Sequence, residues 1–126
     1  MPSGPPSVFL VDDNATFLRH AERFLGRDGA LEVVGTATSV AAAVPRLREL
    51  RPAVVLLDLF MPGTDGIQGI PIVLEAAPEA VVVMLTMHAG LAYREQALAH
   101  GAHGFVTKTD LVVGLRAEIA RLVPWT

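Results

Sequence analysis

Apolar residues follow two rhythms along this chain. In the first, runs are short and largely apolar: Val8-Phe9-Leu10-Val11, apolar on both faces, then Leu31-Glu32-Val33-Val34-Gly35, Ala53-Val54-Val55-Leu56-Leu57, Ala80–Leu85 and Gly104-Phe105-Val106. Runs this short, rich in valine and closed by polar or turn residues, read as buried strands. In the second, apolar residues recur three and four apart, as at Phe17, Leu18, Ala21, Phe24 and Leu25, which predicts a helix over Ala15–Gly26. Asp12-Asp13-Asn14 offers caps for its start, and Gly26 to Gly29 stops it. Thr38 or Ser39 can cap a second helix to Leu50. Pro45 lies inside that window and costs about 3 kcal/mol in a helix interior, so a kink or a late start is expected. Phe60–Gly66 reads as a loop, and a third helix over about Asp65–Ala76 is weakened by Gly69 and Pro71. A fourth helix covers Leu91–Ala99 and is stopped by Gly101. A fifth covers Asp110–Leu122, capped by Thr109 or Asp110.

Five strands that alternate with five helices imply an α/β fold with a parallel sheet covered on both faces. No repeat or internal linker interrupts the alternation. Residues 1–7, rich in Pro, Gly and Ser, read as a flexible tail, 8–123 as one domain and 124–126 as its C-terminal end. At 126 residues and 52% hydrophobic content the chain can bury a core, which excludes disorder. No apolar run approaches the roughly 20 residues that cross a bilayer. The first residues lack the basic and apolar regions of a signal peptide, so a cytoplasmic location is expected. With no Cys, disulfides, thiolate metal sites and thiol catalysis are excluded. Ten basic against 13 acidic residues give −3, which is no footprint for direct nucleic-acid binding.

The polar residues at the strand ends carry the chemistry. Asp12 and Asp13 follow the first strand, Asp58 the third and Thr86 the fourth, and Lys108 comes just after the fifth. Ligands of open α/β sheets bind outside the carboxyl ends of the strands. One pocket would then gather three carboxylates, a hydroxyl and an ammonium. Clustered carboxylates repel one another and call for a cation, and hard oxygen ligands without cysteine suit Mg²⁺. A lysine and a hydroxyl opposite them suit phosphoryl oxygens, and a central carboxylate can act as nucleophile. The set reads as Mg²⁺-assisted phosphoryl transfer onto an aspartate.

Four segments, in order, resemble the receiver domains of two-component response regulators. They are Val8–Asp13, Leu56–Gly66, Met84-Leu85-Thr86-Met87-His88 and Gly101–Lys108. Thr86-Met87-His88 is similar to the branch that usually carries a C-terminal LuxR-type helix-turn-helix. The resemblance implies a doubly wound, flavodoxin-like (βα)5 fold with strand order 2-1-3-4-5. It implies that Asp58 accepts a phosphoryl group from a sensor histidine kinase. Asp13, Asp58 and the backbone carbonyl of Phe60 would ligate Mg²⁺ directly, and Asp12 through water. Lys108 and Thr86 would contact the phosphoryl group, and Phe105 would be the aromatic switch. Turning Phe105 inward would repack the face made by the fourth helix, fifth strand and fifth helix, and homodimerisation through that face is left open.

Two departures from the commoner family pattern tune the site entrance. Met87 stands where a small residue is usual, and Phe60 is large and apolar, so a long-lived phosphoryl state is expected. His20, His88, His100 and His103 share no metal-ligand spacing and read as solvated or loop residues. Two competing readings remain. A haloacid-dehalogenase-type phosphatase needs an acid two residues after the nucleophile, where this chain has Phe60. A constitutive interaction module would use the same fold with a silent site. A helix-turn-helix does not fit after the fifth helix. The chain is therefore either a stand-alone receiver, a switch rather than a turnover enzyme, or part of a longer regulator that controls transcription.

Overall fold

The computed structural model describes residues 4–27, 29, 31–61, 64–87 and 91–122. The elements run β1 (Ser7–Val11), α1 (Ala15–Gly26), β2 (Glu32–Ala37), α2 (Val40–Leu50), β3 (Val54–Asp58), α3 (Gly66–Ala76), β4 (Val81–Thr86), α4 (Leu91–Ala99), β5 (Gly104–Thr107) and α5 (Leu111–Leu122). The five strands form one parallel sheet in the order β2-β1-β3-β4-β5, the flavodoxin-like order expected from the sequence.

Alternation along each strand divides the core in two. Phe9, Val11, Val55, Leu57 and Met84 face α2 and α3, together with Leu47, Ile70 and Val73. Val8, Leu10, Leu56, Val83 and Leu85 face α1 and α5, together with Leu18, Leu25, Leu115 and Ile119. Burying each of these larger side chains contributes about 1.5–3 kcal/mol before chain entropy is counted. Since β3 is buried along its whole length, a polar residue on it can reach water only at its end, where Asp58 stands.

Several boundaries differ from expectation. The ordered strand begins at Ser7, inside the segment read as tail. Ser7 Oγ accepts from the Ala53 N–H at 2.9 Å, and the Pro6 carbonyl from the Glu32 N–H at 2.9 Å. These bonds attach the segment to its neighbours, an effect that composition does not encode; Met1–Ser3 lie outside the described residues. Helix α2 starts at Val40 on a Ser39 cap and runs unbroken through Pro45. Pro45 and Ala41 are both exposed, so the carbonyl that loses its helical partner faces water, and no late start is needed. Helix α3 likewise continues through Pro71, which is exposed. The segment read as a loop after Asp58 contains two short strands, Phe60–Met61 and Thr64–Asp65, paired antiparallel. Two-residue strands are too short to show an alternation pattern. Finally, a 3₁₀ turn at Lys108–Asp110 precedes α5, which therefore begins one residue later than expected.

Candidate functional site

The chain reverses direction across the sheet between β1 and β3, and the crevice there opens at their carboxyl ends. Asp12 follows β1 directly and is fully buried. Its N–H bonds the Ala37 carbonyl at 3.1 Å, and its Oδ1 accepts from the Asn14 N–H at 2.9 Å. Asp13 is exposed. Neither aspartate caps α1. Asn14 does so, its side chain accepting from the Phe17 N–H at 3.0 Å. Both carboxylates are thereby free of the structural task that the sequence left open for them.

Asp58 ends β3 and is almost wholly buried. Its Oδ1 accepts from the Phe60 N–H at 3.3 Å. The carbonyl oxygens of Asp58 and Leu59 lie where a β-carbon on Gly66 would go, so glycine alone lets α3 begin this close to the acidic strand end. Lys108 opens the 3₁₀ turn after β5. Its Nζ lies 2.7 Å from Asp12 Oδ2 and 3.7 Å from Asp58 Oδ2. The angles at Asp12 Oδ2 do not make a hydrogen bond, but the short contact compensates the buried charge. Thr86 is buried at the end of β4. Asp13, Asn14, Asp58, Phe60, Thr86, Met87 and Lys108 together line a cleft of about 270 Å³.

Asp12, Asp13 and Asp58 each offer a carboxylate oxygen, and the three oxygens lie within 4.8 Å of one another. Burial and this crowding both act on Asp58. Burial first, and then the Asp12 charge, raise its pKa from the ordinary 3.8 to about 6, with Asp13 adding to the rise. Lys108 and the Phe60 N–H pull in the other direction. One ammonium against three acids leaves the cluster short of positive charge, which is the condition a divalent cation relieves.

The structure thus brings together all five polar residues singled out from sequence, with Phe60 and Met87 at the rim, both more than half exposed. Phe105 is only partly buried. Its ring carries the Arg94 guanidinium 5.1 Å from its centroid. Sequence reasoning missed three contributors. Asn14 lines the cleft; the Phe17 ring centroid lies 4.7 Å from Lys108 Nζ; and Tyr93 meets Phe60 edge-on. Only Phe17 carried a signal, its place on the apolar face of α1. His100 and His103, read as solvated or loop residues, are exposed between α4 and β5, and both also bond the backbone. His103 Nδ1 accepts from the Val82 N–H at 3.0 Å, and His100 Nδ1 lies 2.7 Å from the Gln96 carbonyl. His88 falls outside the described residues. Among the described residues no helix is long and apolar enough to cross a membrane.

The family model for the response regulator receiver domain matches residues 8–119. The DNA-binding transcriptional activator DevR/DosR of Mycobacterium tuberculosis is 37% identical over 116 residues, covering 92% of this chain and 52% of that protein. A protein-glutamate methylesterase/protein-glutamine glutaminase of Koribacter versatilis is 37% identical over 110 residues, covering 86% of this chain and 30% of that protein. The signal receiver domain of the response regulator NarL from M. tuberculosis superposes with a TM-score of 0.79 at 33% identity, covering 94% of this chain and 100% of that one. The chain spans about half the length, or less, of the curated relatives it matches. Sheet order, acidic strand ends and family model agree, and the chain belongs to the receiver domains of two-component response regulators.

Proposed function

We propose that this receiver takes a phosphoryl group onto Asp58 from the phosphohistidine of a sensor histidine kinase, in the cytoplasm. The observation that carries the reading is the three-carboxylate cluster with Lys108 set between Asp12 and Asp58. Receiver domains typically bind Mg²⁺ in an acidic pocket, and the donor set here fits: hard oxygens, close together and under-neutralised. Asp13, Asp58 and the Phe60 carbonyl would hold the ion, with Asp12 acting through water. When bound, Mg²⁺ draws charge from the phosphoryl oxygens and lowers their repulsion with the acids.

The protein's own groups supply the rest. An Asp58 carboxylate oxygen attacks phosphorus, a P–O bond forms as the P–N bond to the donor imidazole breaks, and the imidazole takes a proton from solvent. Lys108 lies close enough to follow the charge from carboxylate to phosphoryl group. Thr86, at the cleft wall, would hydrogen-bond a phosphoryl oxygen. Phosphorylation adds close to two negative charges to the pocket. As Thr86 moves toward them, Phe105 turns inward, and the face of α4, β5 and α5 is repacked. A partner that prefers the repacked face shifts the population toward it, so the chain acts as a switch rather than a turnover enzyme. Two relatives are transcription regulators, which supports an output in transcription through a domain or partner beyond the residues described.

Beryllofluoride with Mg²⁺, added to the protein beside Asp58→Ala, tests the acceptor role by amide NMR. Saturable shifts at Thr86, Phe105 and Lys108, absent in the variant, are expected. An unchanged spectrum in the unmutated protein would overturn the reading in favour of a silent site.

A further inference from the structure

Helix α4 is loosely held. Among its described side chains only Ala97 is buried. Two adjacent residues tie it to the strand-end surface: Arg94 over Phe105, and Tyr93 against Phe60. The Tyr93 and Phe60 rings meet edge to face, with centroids 5.2 Å apart and planes at 84°. This is the favoured geometry for an aromatic pair. Phe60 is bonded through its N–H to Asp58 and lines the cleft, while Tyr93 is not among the cleft-lining residues. A phenylalanine ring that is 54% exposed has several rotamers open to it, and an edge contact selects one.

We propose that Tyr93 is a positioning residue, whose edge contact holds the Phe60 ring as an apolar wall of the Asp58 cleft and thereby sets how readily water reaches the acyl phosphate. The proposal rests on the acceptor reading given above. In hydrolysis a water oxygen attacks phosphorus, and the bond from phosphorus to the Asp58 oxygen breaks. The products are the carboxylate and inorganic phosphate, and the water proton passes to solvent. The hydrocarbon ring of Phe60 offers that water no hydrogen-bond partner, and the Met87 thioether beside it offers only a weak acceptor. With the ring released, the mouth widens and hydrolysis accelerates. The pair also links the lifetime of the phosphoryl group to the position of α4.

The test loads the full chain from acetyl phosphate with Mg²⁺, removes the donor and follows loss of the acyl phosphate by intact mass. Tyr93→Ala is expected to lose it about two- to tenfold faster than the unmutated protein, the rate equivalent of one aromatic edge contact. Tyr93→Phe, which keeps the ring, should match the unmutated protein. Phe60→Ala should be fast, and the double variant no faster than Phe60→Ala alone. A merely structural role for Tyr93 would give rate effects that multiply in the double variant, and that result overturns the proposal. So does a Tyr93→Ala decay equal to that of the unmutated protein, or a Tyr93→Phe decay as fast as Tyr93→Ala. Ring-to-ring nuclear Overhauser contacts between Tyr93 and Phe60 in the unphosphorylated protein give a second check that needs no variant to fold, and their absence also overturns it. If the unmutated protein takes no more phosphoryl group than Asp58→Asn, the acceptor reading fails and the proposal with it. Normal loading without a Tyr93 effect removes the proposal alone.

Discussion

The Lys108 ammonium stands 2.7 Å from the Asp12 carboxylate, so its nearer partner is the buried acid after β1 rather than Asp58 at 3.7 Å. Asp12 is fully buried and the Lys108 side chain is partly buried. Breaking such a pair leaves an uncompensated charge in a low-dielectric site. Lys108→Met is therefore expected to lower stability in chelator by about 1–3 kcal/mol, read as a shift in urea midpoint at constant slope. The loss should shrink when Mg²⁺ is added, because the cation restores positive charge to the cluster. An equal loss with and without Mg²⁺ would show that the ion does not share the Lys108 environment.

Asp58 sets a second, pH-dependent expectation. Its folded pKa, about 6, lies above the ordinary 3.8, so between these values the native state holds a proton that the unfolded state has given up. The stability this contributes is fully present below about pH 3.8 and is lost as pH rises through about 6. At neutral pH the ionised carboxylate then costs the native state about 1–2 kcal/mol, discounted from the full shift for residual solvent screening. Asp58→Asn removes the titration. In chelator the variant should gain on the unmutated protein as pH climbs from 5 to 7.5, and comparing the two cancels every other acid. Parallel stability curves over that range would contradict the raised pKa.

Glu118 is engaged twice, by the Phe105 N–H and by Arg121. Its Oε2 accepts from the Phe105 N–H on the edge strand β5 at 3.0 Å and pairs with Arg121 at 3.0 Å. The Arg121 hydrogen bond foremost, and then the Phe105 N–H, hold its carboxyl below the usual range. Glu118 thus holds the backbone of Phe105 on the edge strand. Glu118→Ala leaves a partly buried N–H unpaired and should cost about 1–2 kcal/mol, whereas Glu118→Gln keeps an acceptor and should cost less than half of that. Gly104→Ala should be at least as damaging as Glu118→Ala, since its methyl group would meet the Glu118 carboxylate and Leu122. Thermal unfolding of the three variants checks the ranking, and an Ala variant no worse than Gln would remove the edge-strand bond from the account.

What could be read in the sequence follows from the range of the forces involved. The strands were legible because Val8–Val11, Val54–Leu57 and Val82–Leu85 are apolar on both faces, and only a covered parallel sheet buries such runs. Asp12, Asp58 and Thr86 were legible because each is the first polar position after such a run, with Asp13 next in line after Asp12 and Lys108 just past the fifth strand. The division of labour among neighbours was not. That Asn14 rather than Asp12 or Asp13 caps α1 depends on the turn geometry of three consecutive capping residues. That Phe17 lies beside Lys108, or that Tyr93 touches Phe60, depends on elements far apart in the chain. The short antiparallel pair after Asp58 is local, but its strands are too brief to leave a pattern.

Gly66, the first residue of α3, closes that short segment tightly against Asp58. Its N–H donates to the Leu59 carbonyl at 2.9 Å, closing the turn that follows Asp58. A β-carbon there would press on the carbonyl oxygens of Asp58 and Leu59, which are backbone atoms and cannot rotate away. Gly66→Ala must therefore displace either α3 or the end of β3. Since Ile67 and Ile70 are buried and anchor α3 to the core, the strain falls on the loop bearing Phe60. A loss of about 1–3 kcal/mol in stability is expected, the usual cost of overpacking. Mg²⁺ affinity should fall as well, because the Phe60 carbonyl and the Asp58 carboxylate flank the same turn. Titrating Mg²⁺ against the chemical shifts of Asp58 and Phe60 in this variant distinguishes the two effects. Reduced stability with unaltered Mg²⁺ affinity would mean that α3, not the acceptor loop, gives way.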